Sequence, residues 1–338
     1  MNLAVVGMGL VSPIALTPLQ HACFARAGLG LHPPSAFMGA DGEREHVLHC
    51  PWLGARLPVA VRMAALGERA LGAATERLMQ LPERAPDDTL LLLCLGAARP
   101  GLSEADRQRA VGALAATAPL GRVFTGAAAF FAALGTAERL LEAGEARVVL
   151  VLAVDSYISL DALRAELNGP SSWARTAPPP SEAGGAVALM KGTEARELGL
   201  SLGTVHSTGV LKGRGTDDDD DPVDGAAIAT LLEQVPPLDE PLVRAYGPTE
   251  VDRLRETEWT CAAARSGAHL HALFATSCVE RWMGRVGGAA GAAHFIYGLA
   301  AERHHAVRES QAGAGPFVAW AISRDGTRGL CAAIAAGA

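Results

Sequence analysis

The residue types and spacings in this chain offer few sites for catalysis or metal binding. His46, His49 and Cys50 fall within five residues and could supply metal ligands. A structural zinc site needs four ligands, however, and no second pair is spaced to complete the set. Cys278 and His294 are the one Cys/His pair that could act as nucleophile and base. Because most lone cysteines are small buried hydrophobes, a structural role is the ordinary interpretation of both groups.

Two further patterns could bind a ligand. Gly7-Met8-Gly9 follows an apolar run, as in strands whose glycines let the backbone approach a dinucleotide pyrophosphate. Ser12 and Pro13 occupy the positions where the dinucleotide-binding motif needs a third glycine. A Gly-x-Gly pair alone is weak support for a dinucleotide-binding fold. The aspartates 217–221 could bind a hard cation, but without EF-hand spacing a solvated loop is the ordinary explanation. We therefore expect no metal and no cofactor.

The composition predicts a compact protein with an unusual interior. Hydrophobic residues make up 49% and charged residues 19% of the 338 residues, which suits a folded core and not a disordered chain. Aromatic residues are only 5%, while glycine contributes 38 residues, so close backbone packing must replace large side chains. Lys191 and Lys212 are the only lysines among 29 basic residues. Any mechanism that needs a lysine must therefore use one of these two.

Charge and hydropathy argue against several classes of protein. The net charge is −7, and no basic run is interleaved with aromatic residues, which argues against binding to nucleic acid or to an anionic membrane surface. No apolar stretch reaches the roughly 18 residues that span a bilayer, and the first residues lack the charged start of a signal peptide. The six cysteines are widely scattered, as in reduced proteins. We expect a cytoplasmic protein.

Hydrophobic patterning alternates strands with helices. A helix beginning near Ala127 is apolar all round, becomes amphipathic, and has Gly144 placed to end it. This order is typical of a layered α/β body. Along the chain we expect a strand from residue 3, helices 17–27 and 59–80, a strand 89–95, the helix from 127, strands 148–154 and 202–206, a helix 224–233, a strand 242–246, helices 251–264 and 288–301, and strands 317–322 and 329–334.

Six motifs form a series along the chain. They are Val5-Val-Gly-Met-Gly-Leu-Val-Ser-Pro13, Thr125-Gly-Ala-Ala-Ala-Phe-Phe-Ala-Ala-Leu134, Leu141-Glu-Ala-Gly-Glu-Ala-Arg-Val-Val-Leu150, Ala153-Val-Asp-Ser-Tyr157, Glu182-Ala-Gly-Gly-Ala186 and Gly284-Arg-Val-Gly-Gly-Ala-Ala-Gly291. In this order they resemble the β-ketoacyl-acyl-carrier-protein synthases (ketosynthases) of the thiolase-like superfamily. Each match is weak, but six in one order are more specific than any one of them.

The resemblance spans nearly the whole chain and implies a fold. The fold is the five-layered αβαβα thiolase-like fold, in which two pseudo-symmetric halves face each other. We place the N-terminal half at residues 1–195 and the C-terminal half at residues 196–338, together forming one bilobed body. Such proteins are usually homodimers, and this chain is shorter than typical members.

The resemblance also implies where catalytic residues should lie. In that family a cysteine at the amino end of a buried helix takes the acyl group, because the helix dipole favours its thiolate. Two histidines and a lysine assist malonyl decarboxylation. The cysteine position falls on Ala127, the histidine positions on Tyr246 and Arg285, and the lysine position on Glu280. We expect Ala127, Tyr246 and Arg285 to converge on one cavity at the amino end of the helix from Ala127.

The four departures together predict a pseudo-enzyme. Loss of residues that act as a unit costs orders of magnitude in rate, so we expect a non-catalytic binding, scaffold or partner subunit. The alternative is an acyltransferase or decarboxylase acting on carrier-protein or CoA thioesters, with Tyr246 and Arg285 in a rewired pocket. The partners implied are a second copy, a ketosynthase-like chain as for chain-length factors, an acyl carrier protein, or a secretion-system component.

Overall fold

The computed structural model describes ten strands and ten α-helices in residues 3–29, 46–54, 56–80, 88–167, 178–213, 224–249, 253–267, 270–308 and 315–337. The strands are β1 Leu3–Val11, β2 Thr89–Leu95, β3 Leu120–Thr125, β4 Val148–Ser156, β5 Glu182–Lys191, β6 Gly203–Lys212, β7 Leu242–Tyr246, β8 Leu270–Ser277, β9 Pro316–Ile322 and β10 Thr327–Ala335. The helices are α1 Pro18–Arg26, α2 Val59–Thr75, α3 Glu104–Leu114, α4 Ala129–Ala143, α5 Leu160–Leu167, α6 Gly192–Glu197, α7 Ala226–Glu233, α8 Arg253–Arg265, α9 Glu280–Met283 and α10 Ala290–Arg308.

The strand order repeats within the chain. The hydrogen-bonded order is β3-β2-β4-β5-β1-β6-β10-β9-β7-β8. In the first half, β1 is antiparallel to β5, β5 is antiparallel to β4, and β4, β2 and β3 run parallel. In the second half, β6, β10, β9, β7 and β8 repeat the same order and the same directions. A short antiparallel contact between β1 and β6 joins the halves, so the fold has two pseudo-symmetric parts.

The packing makes five layers. Helices α4 and α10 contact strands of both halves and therefore lie between them. On the outer side of the first half lie α2 and α3, and on the outer side of the second half lie α7 and α8. Strand β4 shows why its residues suit this arrangement: Val149 and Val151 face the central layer, while Leu150 and Leu152 face the outer helices. A strand buried on both faces needs a continuous apolar run.

Most of the expected elements are present. The expected helix from Ala127 begins at Ala129, and Gly144 ends it with a left-handed φ of 73°, as expected for a C-cap. The expected helix 59–80 stops at Thr75 and is followed by a short 3-10 turn, Leu78–Gln80. The start of the expected helix 251–264 and the aspartates 217–221 lie outside the described residues. None of the described helices is both long and apolar enough to cross a bilayer.

The pair Gly7 and Gly9 serves packing between β1 and α2. A Cβ at Gly7 would lie 1.8 Å from the carbonyl oxygen of Ala74, and one at Gly9 would lie 2.1 Å from that of Ala70. Both oxygens belong to the backbone of α2, which cannot move aside as a flexible side chain could. The Gly-x-Gly pattern therefore lets a helix approach a strand closely, which accounts for it without a dinucleotide.

We predict that Gly7→Ala destabilises the fold by about 1–3 kcal/mol, because overpacking displaces neighbouring groups. The matched control is Gly72→Ala on the exposed side of α2, where a Cβ would meet nothing within 4 Å. That change should be neutral or stabilise the helix by up to about 1 kcal/mol. Urea unfolding of both variants measures the difference, and equal stabilities would contradict the close approach.

Candidate functional site

The amino end of α4 has Ala127 at the position that the resemblance implies for the nucleophilic cysteine. Gly126 makes the turn from β3 with a φ of 103°, Ala127 is half-buried, and Ala128 is the N-cap. The backbone N–H of Ala128 donates to Ser323 Oγ at 2.9 Å. Ser323 follows β9 and is buried. The residues Gly126, Ala127 and Ala128 at this helix end thus offer no side chain that can attack a thioester. The first N–H groups of a helix have no partner within the helix, and here Ser323 accepts from the one on Ala128.

Three buried cysteines, Cys50, Cys94 and Cys331, are poor nucleophiles. Cys94 and Cys331 are buried in β2 and β10, where desolvation raises the pKa of each thiol. Desolvation also raises the pKa of the Cys50 thiol, with a further contribution from the negative charge of Glu182. Because the thiolate is the reactive form, these three side chains are inert structural thiols.

Arg285 belongs to a group of cations around a buried tyrosine. Its guanidinium Cζ lies 5.5 Å from the ring centroid of Tyr157, and that of Arg99 lies 4.0 Å from the same centroid. The positive charge of Arg324 also acts on Tyr157. We call Arg99, Arg285, Arg324 and Tyr157 the arginine cluster. Desolvation raises the pKa of Tyr157 despite the three cations, so its hydroxyl stays protonated at neutral pH.

Asp155 fixes this cluster beside α10. Arg99 Nη2 donates to Asp155 Oδ1 at 2.7 Å, and its Nη1 donates to Oδ2 at 3.2 Å. The backbone N–H of Gly288 donates to the same Oδ2 at 2.7 Å. Asp155 is buried at the end of β4, so one carboxylate ties the arginine cluster to the loop before α10.

The arginine cluster lies near the amino end of α4. Gly126 N–H donates to the carbonyl of Leu95 at 2.9 Å, and the next residue, Gly96, would contact a Cβ on Gly288 at 2.3 Å. Arg324 directly follows Ser323, which bonds to α4. Arg285 and Ala127 are therefore on neighbouring segments of the chain.

Tyr246 lies elsewhere along α10. Its hydroxyl donates to Glu302 Oε1 at 2.6 Å, and Arg244 Nη1 donates to the same oxygen at 2.9 Å. Glu302 is twelve residues beyond the start of α10 at Ala290, about 18 Å along the helix. Arg285 comes before α10 begins. The Tyr246 hydroxyl therefore does not lie beside Arg285. Its hydrogen-bond partner is the carboxylate of Glu302.

The burial of Tyr246 makes it a structural residue. Its ring packs edge-on against Tyr297 and Phe317, with centroids 5.5 and 5.4 Å away. Desolvation raises its pKa well above the ordinary value, and the charge of Glu302 raises it further. Its hydroxyl therefore stays protonated at neutral pH.

Glu280 forms a second buried group with the Cys/His pair. Glu280 Oε2 lies 3.4 Å from His294 Nε2, and Glu280 Oε1 accepts from the backbone N–H of Val286 at 3.3 Å. Burial raises the pKa of Glu280, but His294, the charge of Arg255 and the Val286 N–H together lower it below the ordinary value. The Sγ of Cys278 and the ligand atoms of Glu280 and His294 all lie within 4.8 Å of one another. We call these three residues the buried triad.

The other predicted metal candidates do not converge. Cys50 N–H donates to Glu182 Oε1 at 2.7 Å, within a buried ion pair of Glu182 with Arg62. His46 is exposed and His49 is half-buried. In the part of the chain that the structure describes, the buried triad is the only set of three His, Cys, Asp or Glu side chains that could hold a metal.

Comparison with known proteins identifies the fold. No protein-family model and no curated sequence matches the chain. The ishigamide ketosynthase/chain length factor matches 100% of both chains with a TM-score of 0.74 and 18% identity. This match shows that the chain has the ketosynthase fold. AntDE:AntF, a type II polyketide synthase acyl-carrier protein in complex with its ketosynthase bound to the hexaketide, matches over 99% of both chains with a TM-score of 0.75 and 14% identity.

A modular enzyme has the same fold. The ketosynthase from module 1 of the bacillaene synthase of Bacillus amyloliquefaciens matches with a TM-score of 0.72 and 14% identity. The match covers 99% of this chain and 73% of that one. The present chain therefore matches about three quarters of this longer modular chain.

Sequence reasoning missed most of the arginine cluster. Asp155 and Tyr157 belong to the motif from Ala153 to Tyr157, and the sequence alone indicates a function for neither of them. A carboxylate at the end of a fully buried strand nevertheless indicates a charged or hydrogen-bonding partner nearby. Arg99 and Arg324 gave no such signal, because each lies in a loop that becomes adjacent to Tyr157 only in the folded chain. Ser323 likewise meets α4 across almost two hundred residues of sequence.

We predict that Asp155→Asn destabilises the protein by about 3–5 kcal/mol, because it leaves the buried Arg99 guanidinium without its counter-charge. The matched control is Asp325→Asn, whose ion pair with Lys212 is exposed and should contribute less than about 1 kcal/mol. Chemical unfolding followed by circular dichroism measures both. Similar losses in the two variants would argue against the structural role of Asp155.

Proposed function

We propose that this chain is a subunit with the ketosynthase fold that binds a thioester ligand or a partner chain but does not catalyse condensation. The observation that carries the proposal is the amino end of α4, where Ala127 supplies only a methyl group and the Ala128 N–H is bonded to Ser323. A methyl group cannot form a thioester. An N–H bonded to a hydroxyl is not free to stabilise a developing oxyanion.

The remaining positions support the same conclusion. Arg285 carries a guanidinium, which has hydrogen-bond donors only and lacks the acceptor nitrogen of a neutral histidine. Tyr246 donates its single hydroxyl proton to Glu302. Glu280, at the position implied for the lysine, is negative and lies beside His294. Each position thus has charges or contacts unlike those that the condensation chemistry requires.

The arginine cluster supports ligand binding. Three guanidinium groups and one carboxylate, that of Asp155, act on Tyr157. Guanidinium groups present paired donors that match a carboxylate or phosphate. Arg324 is exposed and Arg285 is half-buried, so an anion can approach from solvent. We therefore infer that the bound group is the carboxylate or the phosphate of an acyl thioester or its carrier arm.

The arginine cluster also supports a second candidate function, that of an enzyme acting on thioesters. Arg285 could hold a malonyl carboxylate while another group promotes its decarboxylation, which would make the chain a thioester enzyme with a rewired pocket. The two candidates agree on binding and differ in turnover. Product formation therefore separates them.

We predict that the pure protein binds malonyl-CoA without forming an adduct or releasing carbon dioxide. Intact-mass spectrometry and product analysis, with an active ketosynthase as the positive control, measure both. Binding should weaken in Arg285→Ala, because a guanidinium that contacts the anion is lost. Ala127→Cys is the matched probe, since an adduct on the new thiol shows that thioesters reach this helix end. A stable adduct on the wild-type chain, or carbon dioxide release that Arg285→Ala abolishes, would contradict the non-catalytic role.

The edge strand β3 supports a partner role. β3 ends the strand order and pairs with β2 alone among the described strands. Its residues Gly121, Arg122 and Val123 are exposed. An edge strand offers unpaired backbone groups to another strand, and one structural neighbour is a ketosynthase/chain length factor. We propose that β3 pairs with a ketosynthase-like chain.

We predict that the tagged protein, purified from its native host, brings a catalytic ketosynthase with it and that Val123→Asp loses this partner. A charge on an edge strand opposes strand pairing. Leu198→Asp is the matched control, since Leu198 is the C-cap of helix α6, not part of a strand, and is almost equally exposed at 38%. Recovery of the partner with Val123→Asp would rule out this edge, and recovery of a second copy alone would identify a homodimer.

A further inference from the structure

The buried triad, Cys278, Glu280 and His294, has no place in the proposed binding function. Its three side chains carry the sulfur, oxygen and nitrogen ligands that transition metals use in proteins. All three residues are buried. Within the part of the chain that the structure describes, neither ring nitrogen of His294 makes a hydrogen bond of good geometry, and Nε2 faces the Glu280 carboxylate at 3.4 Å. A buried polar nitrogen without a hydrogen bond is costly, and an ion bound between Nε2 and Glu280 would satisfy this nitrogen.

The geometry fits a small tetrahedral ion. Ligands bound to zinc at about 2.0–2.3 Å are about 3.3–3.8 Å from one another, and Glu280 Oε2 is 3.4 Å from His294 Nε2. Since all three ligand atoms lie within 4.8 Å of one another, the cysteine sulfur needs to move by no more than about 1 Å to complete this geometry. Rotation about its Cα–Cβ bond moves the sulfur by such a distance.

The backbone already holds the ligands in place. Cys278 and Glu280 flank one residue where β8 gives way to α9, and His294 lies in the second turn of α10. The Val286 N–H holds Glu280 Oε1, which leaves Oε2 for the ion. A short Cys-x-Glu segment and one histidine from a rigid helix together supply three ligands.

The charges also match. A divalent ion with a thiolate, a carboxylate and a neutral imidazole forms a ligand set with no net charge, which is the state that a buried environment tolerates. The charge of Arg255 acts on Glu280 from outside this set. From this geometry and charge we propose that the buried triad binds one zinc-like divalent metal ion, with a fourth position left for a solvent molecule. The metal would be taken up as the chain folds, because its ligands are enclosed afterwards.

The test uses the full chain expressed in medium supplemented with Co²⁺, a spectroscopic substitute for zinc. We expect about one equivalent of cobalt per chain, the number that one site holds, with a thiolate-to-cobalt charge-transfer band. In Cys278→Ser the band should disappear. In Glu280→Gln the metal affinity should fall by at least about tenfold, since even groups outside the ligand set change affinity by about 10–100-fold. Cys261→Ser, a half-buried cysteine on α8, is the matched control and should keep the band.

Three results would overturn the proposal. One is a wild-type chain without stoichiometric cobalt, which would leave the triad as a buried ion pair in which His294 and Arg255 balance Glu280. The second is bound cobalt without the charge-transfer band, and the third is a band that survives in Cys278→Ser. If Cys278→Ser does not fold, Glu280→Gln, which keeps the side-chain shape, decides the matter by its affinity. Malonyl-CoA binding is measured separately, so failure here leaves the proposed function untouched.

Discussion

The structure depends on the close contact of α4 and α10 in the central layer. A Cβ at Gly291, in the first turn of α10, would lie 2.6 Å from the carbonyl oxygen of Ala127. Only two helices with very small residues at the crossing can approach this closely, and the two halves of the sheet can then close over them. The many glycines and alanines are therefore a condition of the layered fold. Beside this contact the rings of Phe130 on α4 and Phe295 on α10 pack with centroids 5.5 Å apart, so small residues make the close approach and a few aromatic rings fill the space next to it.

The fold could be predicted from sequence wherever burial produced a simple pattern. Strands β2, β4 and β9 are continuous apolar runs and were expected nearly in full. Strand β5 was missed as a strand because Gly184 and Gly185 interrupt its apolar pattern. These glycines are required by tertiary packing, since a Cβ at Gly184 would lie 2.6 Å from the Leu66 carbonyl oxygen. Strand β3 was missed because it is an edge with exposed residues, and β8 was not expected either. The boundary between residues 195 and 196 stays a prediction.

The candidate site was harder to predict, because its residues gain their meaning from partners that are distant in sequence. The resemblance predicted that Ala127, Tyr246 and Arg285 share one cavity and that Glu280 stands at the position of a lysine. It could not show that Glu280 faces His294, or that Tyr246 is engaged by Glu302, since neither partner belongs to the motifs that carry the resemblance. Glu280 and Tyr246 each have a buried partner of matching charge or hydrogen-bonding type. Both side chains therefore contribute to the packing of the fold.

Among the described strands, β3 and β8 end the strand order, and they occupy equivalent places in the two halves. Symmetry then limits the size of any assembly. If β3 pairs with the same strand of another chain, the interface is self-complementary and growth stops at two chains. If β3 instead pairs with β8 of a neighbour, each addition exposes a fresh edge and a filament results unless the rotation closes a ring. The choice between a finite pair and an open polymer therefore depends on how differently the two halves present their outermost strands.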